Sequence, residues 1–496
     1  MQCSTRLWWA RKKKGATHNS KTPAWNSSKE LHVILKRKHG DEQPYWPFGP
    51  FKVRLPLIHY RWEVAETVQA LVMFVVAMGM IPLLQKYLGL PYDVALAFVA
   101  ICGIGFMLPN LLGVPFVPGW ITPAIPVVLL FVGQFEPGPE AIRSLIALQL
   151  VVTFIFLFMA VTRLGTKLVD TIPNSIKAGI LLGAGIAAIT GEISVGGRAY
   201  NTPISLGLGG LVTAYVLFSL SFRDWTEKHR WAKIVASYGM VPGMVTAMGI
   251  GWAVAEYKLP TVEWGIAVPA FHKVLDYTIF GVGIPSLDLL IMAIPTAVIA
   301  YIIAFGDIIV GQSLIKRVDH LRPDEKIEVD IDRVHLVTGI RNLIHSLLAP
   351  YPGLAGPLFT GAMATIAERY RYGRSAMDTI YSGAGVFWIV GFIALFILPL
   401  VTLFQPVLPI ALSITLLITG YLCIAVGVEQ IDNATSMGVA GTMGVVLAVH
   451  GAAWGLGVGL VLYVLIERRS RKVAADEPIH IEENMPHEEA DAPAAQ

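Results

Sequence analysis

Between Thr67 and Ile466 the sequence keeps returning to one pattern: an apolar stretch of about twenty residues, then a short polar break. Each stretch is long enough to cross a bilayer as a helix, because a helix rises about 1.5 Å per residue and the hydrocarbon layer is about 30 Å thick. No water-soluble architecture buries so much apolar chain with so few polar connections. Composition agrees: 54% of the 496 residues are hydrophobic, only 15% are charged, and mean hydropathy is +0.60. A soluble domain carries about 25% charged residues. The sequence therefore predicts an all-α polytopic membrane protein.

Fourteen segments stand out, at 66–84, 93–112, 115–133, 143–162, 173–192, 203–221, 232–255, 287–311, 333–348, 351–369, 378–402, 406–428, 434–450 and 452–467. Flanking them are a basic N-terminal arm over 1–65, with runs at Arg11–Lys14 and Lys36–Lys38, and an acidic tail over 468–496 whose composition suits disorder. Lys and Arg sort the connections. Arg163 and Lys167, Arg223 to Arg230, Lys316 to Arg322, Arg369 to Arg374 and Arg468 to Lys472 all fall on the side of the arm. The opposite connections are poor in both and include the acidic GQFEPGPE. Positive charge marks the cytoplasmic side, which puts both termini there. The stretch 257–286 is too polar to span but carries Trp264, Phe271, Tyr277 and Phe280, as an interfacial segment on the outer side would.

A basic arm beside a first span is membrane topology, not a nucleic-acid site. Cys3, Cys102 and Cys423 make neither a disulfide framework nor a metal spacing. No HExxH or nucleophile–base set lies in the spans, so the reading is not an enzyme, and no cofactor or metal is expected. The glycines of LGLGVGLVL lack the strand context of a nucleotide loop and suit close helix packing instead.

Fourteen segments divide into seven plus seven, a first repeat over 66–256 and a second over 287–467. Segment three (LPNLLGVPFVPGWITPAIPVVL) and segment ten (LAPYPGLAGPLFTGAMATIAE) both carry Pro and Gly in their first half and a short helical half after it. Segments five and twelve are each entered through a proline, Pro173 and Pro409. An odd number of spans per half makes the repeats inverted. Paired interrupted spans point to a binding site near the midplane, with short extended segments in spans 3 and 10 and half-helix N-termini offering free N–H groups.

This pattern resembles the superfamily of nucleobase permeases (uracil, xanthine and ascorbate relatives), sulfate permeases and bicarbonate/borate exchangers, over about 66–467. QALVMFVVAMGMIP resembles the first span of uracil permeases, with Gln69 kept and Ala70 where they have His. Gly119, Trp120, Ile121 and Thr122 fall on the binding-site positions of span three, and Phe359 and Thr360 on those of span ten. Asp307 falls where uracil permeases carry a substrate-facing glutamate, and its distance to Gly339 agrees. Gly311 replaces a histidine, and Pro357–Phe359 lack a second glutamate. The basic residue that sulfate permeases carry near span ten is also missing. The resemblance implies a secondary transporter working by alternating access. Spans 1–4 and 8–11 would form a core moving against a gate of spans 5–7 and 12–14. The resemblance also implies a homodimer, while the compact loops and the lack of an organelle-targeting signal favour a bacterial inner membrane.

The expected substrate is a small planar, nucleobase-like solute, with Asp307, Trp120, Ile121, Thr122, Phe359, Thr360 and Gln69 as candidate binding residues and Asp307 as the site for a coupling H⁺ or Na⁺. The alternative is an inorganic or carboxylate anion, as in sulfate permeases without their regulatory domain. Half-helix N-termini favour an anion; Asp307 opposes one unless it is neutralised. Glu66 reads as interfacial, Arg341 and Asn342 as residues at the cytoplasmic mouth of span nine, and His345 as a packed histidine.

Overall fold

A computed structural model describes residues 37–468. The runs before Arg37 and the acidic tail from 469 lie outside the described residues. The helices that frame the molecule are α1 (Val64–Met73), α2 (Tyr92–Leu111), α3 (Ile125–Val132), α4 (Pro139–Thr162), α5 (Asn174–Ile193), α6 (Pro203–Phe218), α7 (Leu220–Lys228), α8 (Arg230–Ser237) and α9 (Val241–Ala253). The second half continues with α10 (Leu287–Asp319), α11 (Ile331–Leu348), α12 (Thr360–Tyr370), α13 (Ile380–Ala394), α14 (Leu408–Glu429), α15 (Ala434–His450) and α16 (Ala452–Leu462). Local chemistry sets several starts. Pro139 and Pro203 open α4 and α6, where a missing N–H costs nothing. Ser286, Asp330 and Thr379 cap α10, α11 and α13 through their side-chain oxygens.

Among the described residues six helices, including the extended Val64–Leu88, are long and apolar enough to cross a bilayer, or eight if the bent pairs α6–α7 and α8–α9 count as one span each. The other stretches of the fourteen are shorter, broken or, like α11, more polar. The protein is thus a mostly helical polytopic membrane protein.

Packing sorts the helices into two groups. In one, α4 lies against α10 and α11, and α13 against α1 and α2. In the other, α5 lies against α14 and α15, and α6 against α9. The segment 257–286 forms no span. It crosses one end of the molecule with Trp264 and Phe280 exposed, and it is tied down by Ala270 N–H to the Asp93 carbonyl (3.0 Å) and by Lys273 to Asp93 (3.3 Å).

At the opposite end, residues 37–63 form a strap. A short hairpin pairs β1 (Trp46–Phe48) with β2 (Phe51–Val53), and the backbone N–H of Arg54 donates to Leu111 O at 3.0 Å. The buried Arg37 donates to Asp324 Oδ2 (2.7 Å) and to the Asp378 carbonyl (3.1 Å), and lies 3.3 Å from Glu325. Arg322 grips Asp324 through two bonds of 2.6 and 2.9 Å and donates to Tyr370 O and Met377 O. Glu66 is buried and paired with Arg369, so it is not the interfacial residue the sequence suggested; its counter-ion lies 303 residues away, beyond the reach of local pattern.

The strap should be acid-sensitive. The hydrogen bonds from Arg322, helped by Arg37, hold the Asp324 carboxyl down to about 2. A depressed carboxyl contributes stability that is present above its ordinary value near 4 and lost as pH falls towards 2. Asp324→Asn is expected to cost on the order of 1–2 kcal/mol at neutral pH and to flatten that part of the acid limb in a thermal-unfolding series.

Candidate functional site

Two short strands cross deep in the fold. β3 (Gly119–Trp120) and β4 (Ala355–Gly356) pair antiparallel, Gly119 opposite Gly356 and Trp120 opposite Ala355. Proline explains why these stretches are not helical: Pro115, Pro118, Pro350, Pro352 and Pro357 remove donors and bias the preceding residues away from the helical region. Glycine explains how closely they meet. A Cβ on Gly119 would stand 2.6 Å from the Leu358 carbonyl oxygen, and one on Gly356 would stand 2.5 Å from the Trp120 carbonyl carbon. The chain continues from each strand into a short helix, through the turn Thr122–Ala124 into α3, and through Phe359 into α12. Phe359 at the head of α12 provides no side-chain cap, so the first-turn N–H groups keep their donor capacity.

One helix reaches both sides of the crossing. Arg341 of α11 donates to Gly356 O at 2.7 Å and to Gly119 O at 3.1 Å, reaching both strands at once. Asn342 closes a two-bond clip on Ala355, donating to its carbonyl (2.8 Å) and accepting from its N–H (2.9 Å). Both residues are wholly buried. The sequence reading placed them at the mouth of the span, and the structure corrects it. Ten residues into α11 is about 15 Å of rise, which carries Arg341 well away from the start of the helix. That arithmetic is the signal the sequence offered. Arg341 has no carboxylate partner among the described residues; the ring of Phe106 lies 5.0 Å from the guanidinium carbon, and Cys102 and His345 are within its electrostatic reach.

In front of the crossing lies a small cavity of about 10 Å³, room for about one water, lined by Gly119, Trp120, Thr122, Phe359, Phe106, Trp388 and, from the other helix group, Leu412 and Thr415, with Val76 and Ala77 completing the wall. No acid lines it. Phe106 and Trp388 stack on each other at 4.0 Å with planes 10° apart, so their facing surfaces already cover one another. The indole N–H of Trp388 is buried and has no hydrogen-bond partner among the described residues.

Of the residues proposed from sequence, Trp120, Thr122 and Phe359 therefore meet at this cavity. Ile121 is buried directly behind, its N–H donating to Gly353 O at 3.2 Å, and Thr360 is the first residue of α12. Gln69 is buried in α1 with both amide atoms unpartnered, away from the lining. Asp307 also stands apart from the lining. It is buried in α10 with no hydrogen bond or ion pair among the described residues, within electrostatic reach of Cys423 on α14. Its neighbour Gly306 packs on Ile180 and Leu181 of α5, so the acid sits at the seam of the two helix groups. His345, one turn beyond Arg341, is buried with neither ring nitrogen hydrogen-bonded among the described residues, and a Cβ on Gly105 would stand 2.6 Å from its Nε2.

No protein-family model matches the chain, and no curated protein does. Among solved structures the chain is similar to the transmembrane domain of the cyanobacterium bicarbonate transporter BicA, at 17% identity over 81% of this chain and 97% of that one, TM-score 0.45. It is also similar to SLC26A9, at 13% identity over 82% of this chain and 65% of that one, TM-score 0.46, and to murine Slc26a9, described as an anion transporter, at 11% identity over 82% and 69%, TM-score 0.46. Likeness at these scores is too loose to carry an argument about the site.

Proposed function

We propose that the chain is a secondary active transporter of a small anion, bound at the β3–β4 crossing between the N-termini of α3 and α12. One observation carries this reading: the guanidinium of Arg341 is buried behind the cavity without a counter-ion among the described residues. An unpaired buried charge is costly and is a functional residue by default, and its missing partner is an anion. Helix N-termini add to the same field. The order of the two sequence-based readings is thereby reversed. A planar base would want a hydrogen-bonding acid and an open aromatic face; Asp307 is not in the lining, and Phe106 and Trp388 face each other.

Asp307 takes a different part, as the site where a coupling H⁺ or Na⁺ neutralises a carboxylate at the seam that must slide or rock. The fourteen spans, the inverted seven-plus-seven repeat, cytoplasmic termini, and a homodimer in a bacterial inner membrane complete the proposal; the lysine and arginine distribution supports the orientation.

The test is ligand-dependent thermal stabilisation of purified protein by bicarbonate, sulfate, chloride and small carboxylates beside uracil and xanthine. A bound ligand at a hundredfold excess over Kd adds about 2.7 kcal/mol. At least one anion is expected to stabilise the wild type. Trp388→Phe, which removes one N–H and keeps an aromatic ring, should weaken that anion about tenfold. Asp307→Asn should still bind it but lose any dependence on Na⁺ or pH. Stabilisation by a nucleobase and by no anion would overturn the reading.

A further inference from the structure

The helices α7 and α8 form a bent, mostly exposed elbow, with only Phe222, Thr226 and Ala232 buried. The axis turns 61° between α6 and α7 and 82° between α8 and α9. The elbow lies at the same end of the molecule as the strap: Thr226 of α7 meets the Tyr372 hydroxyl at 3.5 Å, and Lys233 of α8 stands 5.3 Å from the Tyr372 ring centre. Two features of its surface coincide. Leu220, Trp225, Trp231 and Ile234 are exposed, with the two indoles edge to face at 5.8 Å and His229 stacked on Trp231. Beside them are Arg223, Lys228, Arg230 and Lys233, against only Asp224 and Glu227. Arg223, Lys228 and Arg230 form no ion pair among the described residues, and Lys228 and Arg230 are fully on the surface.

Exposed apolar groups alone would suit any lipid, and exposed bases alone would suit water. The combination has one matching surface in a membrane protein. Indoles settle at the headgroup level, and bases beside them pair with phosphate. We infer that the α7–α8 elbow binds the headgroups of anionic phospholipids, with Trp225, Trp231 and Ile234 sunk at the acyl boundary and Lys228 and Arg230 on the phosphates. The position gives such a lipid consequence. The chain leaves α8 into the turn Gly239–Met240, which presses on α12: a Cβ on Gly361 would stand 2.9 Å from Met240 Cε, and Gly239 abuts Thr365. A lipid held on α8 therefore sits one turn from the helix whose N-terminus faces the cavity.

The experiment compares lipid retained by the detergent-purified protein, resolved by native mass spectrometry, after reconstitution in phosphatidylcholine vesicles with or without phosphatidylglycerol. Wild type should retain phosphatidylglycerol in preference to phosphatidylcholine, and Lys228→Gln/Arg230→Gln should lose that preference by roughly tenfold or more, since each base near the surface contributes about a factor of five. The charge-keeping Lys228→Arg/Arg230→Lys variant should behave as wild type, which separates lost binding from lost folding. Equal retention of the two lipids by wild type, or an unchanged preference in the glutamine variant, would overturn the inference. No transported solute enters this measurement, so it stands or falls apart from the anion reading.

Discussion

Replacing Arg341 by glutamine is expected to weaken anion binding about a hundredfold while leaving the protein folded. The size follows from the setting. A unit charge acting on another a few ångströms off, at the effective dielectric of a protein site, is worth about 3 kcal/mol, which is roughly a hundredfold in Kd. Folding should survive because glutamine can still donate to one of the two carbonyls that Arg341 reaches, Gly356 O or Gly119 O, and Asn342 keeps its clip on Ala355. Arg341→Lys keeps the charge and loses the fork, so it should fall between the two. The measurement is a titration of the stabilising anion against each variant. Wild-type affinity in Arg341→Gln would mean that the arginine is only a strut.

The second large effect is steric. Gly356→Ala is expected to cost about 3 kcal/mol and to abolish ligand stabilisation. Its Cβ would lie within 2.7 Å of three backbone atoms of Trp120 and Ile121, and backbone cannot rotate aside as a side chain can. Gly438→Ala, on an open face of α15 with nothing within 4 Å, is the matched control. It should be neutral or gain up to about 1 kcal/mol, because alanine is the better helix residue. A melting series of both proteins, with and without anion, checks the pair. Similar behaviour of the two would mean the strands do not need their close approach.

Much of the fold was legible because membranes simplify sequence. Apolar length marks a helix, and clustered proline and glycine at 115–126 and 349–357 marked the interruptions where β3 and β4 form. Trp120, Thr122 and Phe359 could be picked out because the resemblance to the permeases puts binding positions at those interruptions. What stayed hidden depends on partners far along the chain. Arg341 looked peripheral because its two acceptors, Gly119 O and Gly356 O, are backbone atoms that no residue type announces. Glu66 looked peripheral because its partner is Arg369. Asp307 was visible as an odd residue, yet helix periodicity could not say that it points to the seam with α5 and α14 instead of to the cavity.

α11 fastens both strands at once, and the strands also bond to each other, Ile121 N–H to Gly353 O and Phe359 N–H to Val117 O, so the two arms of the crossing are tied by side chain and backbone alike. The lining contributed by Trp120 and Phe359 is then a single cup, not a pair of jaws. Under the proposed transport function, an occupant would travel with that cup against the wall that carries Leu412 and Thr415.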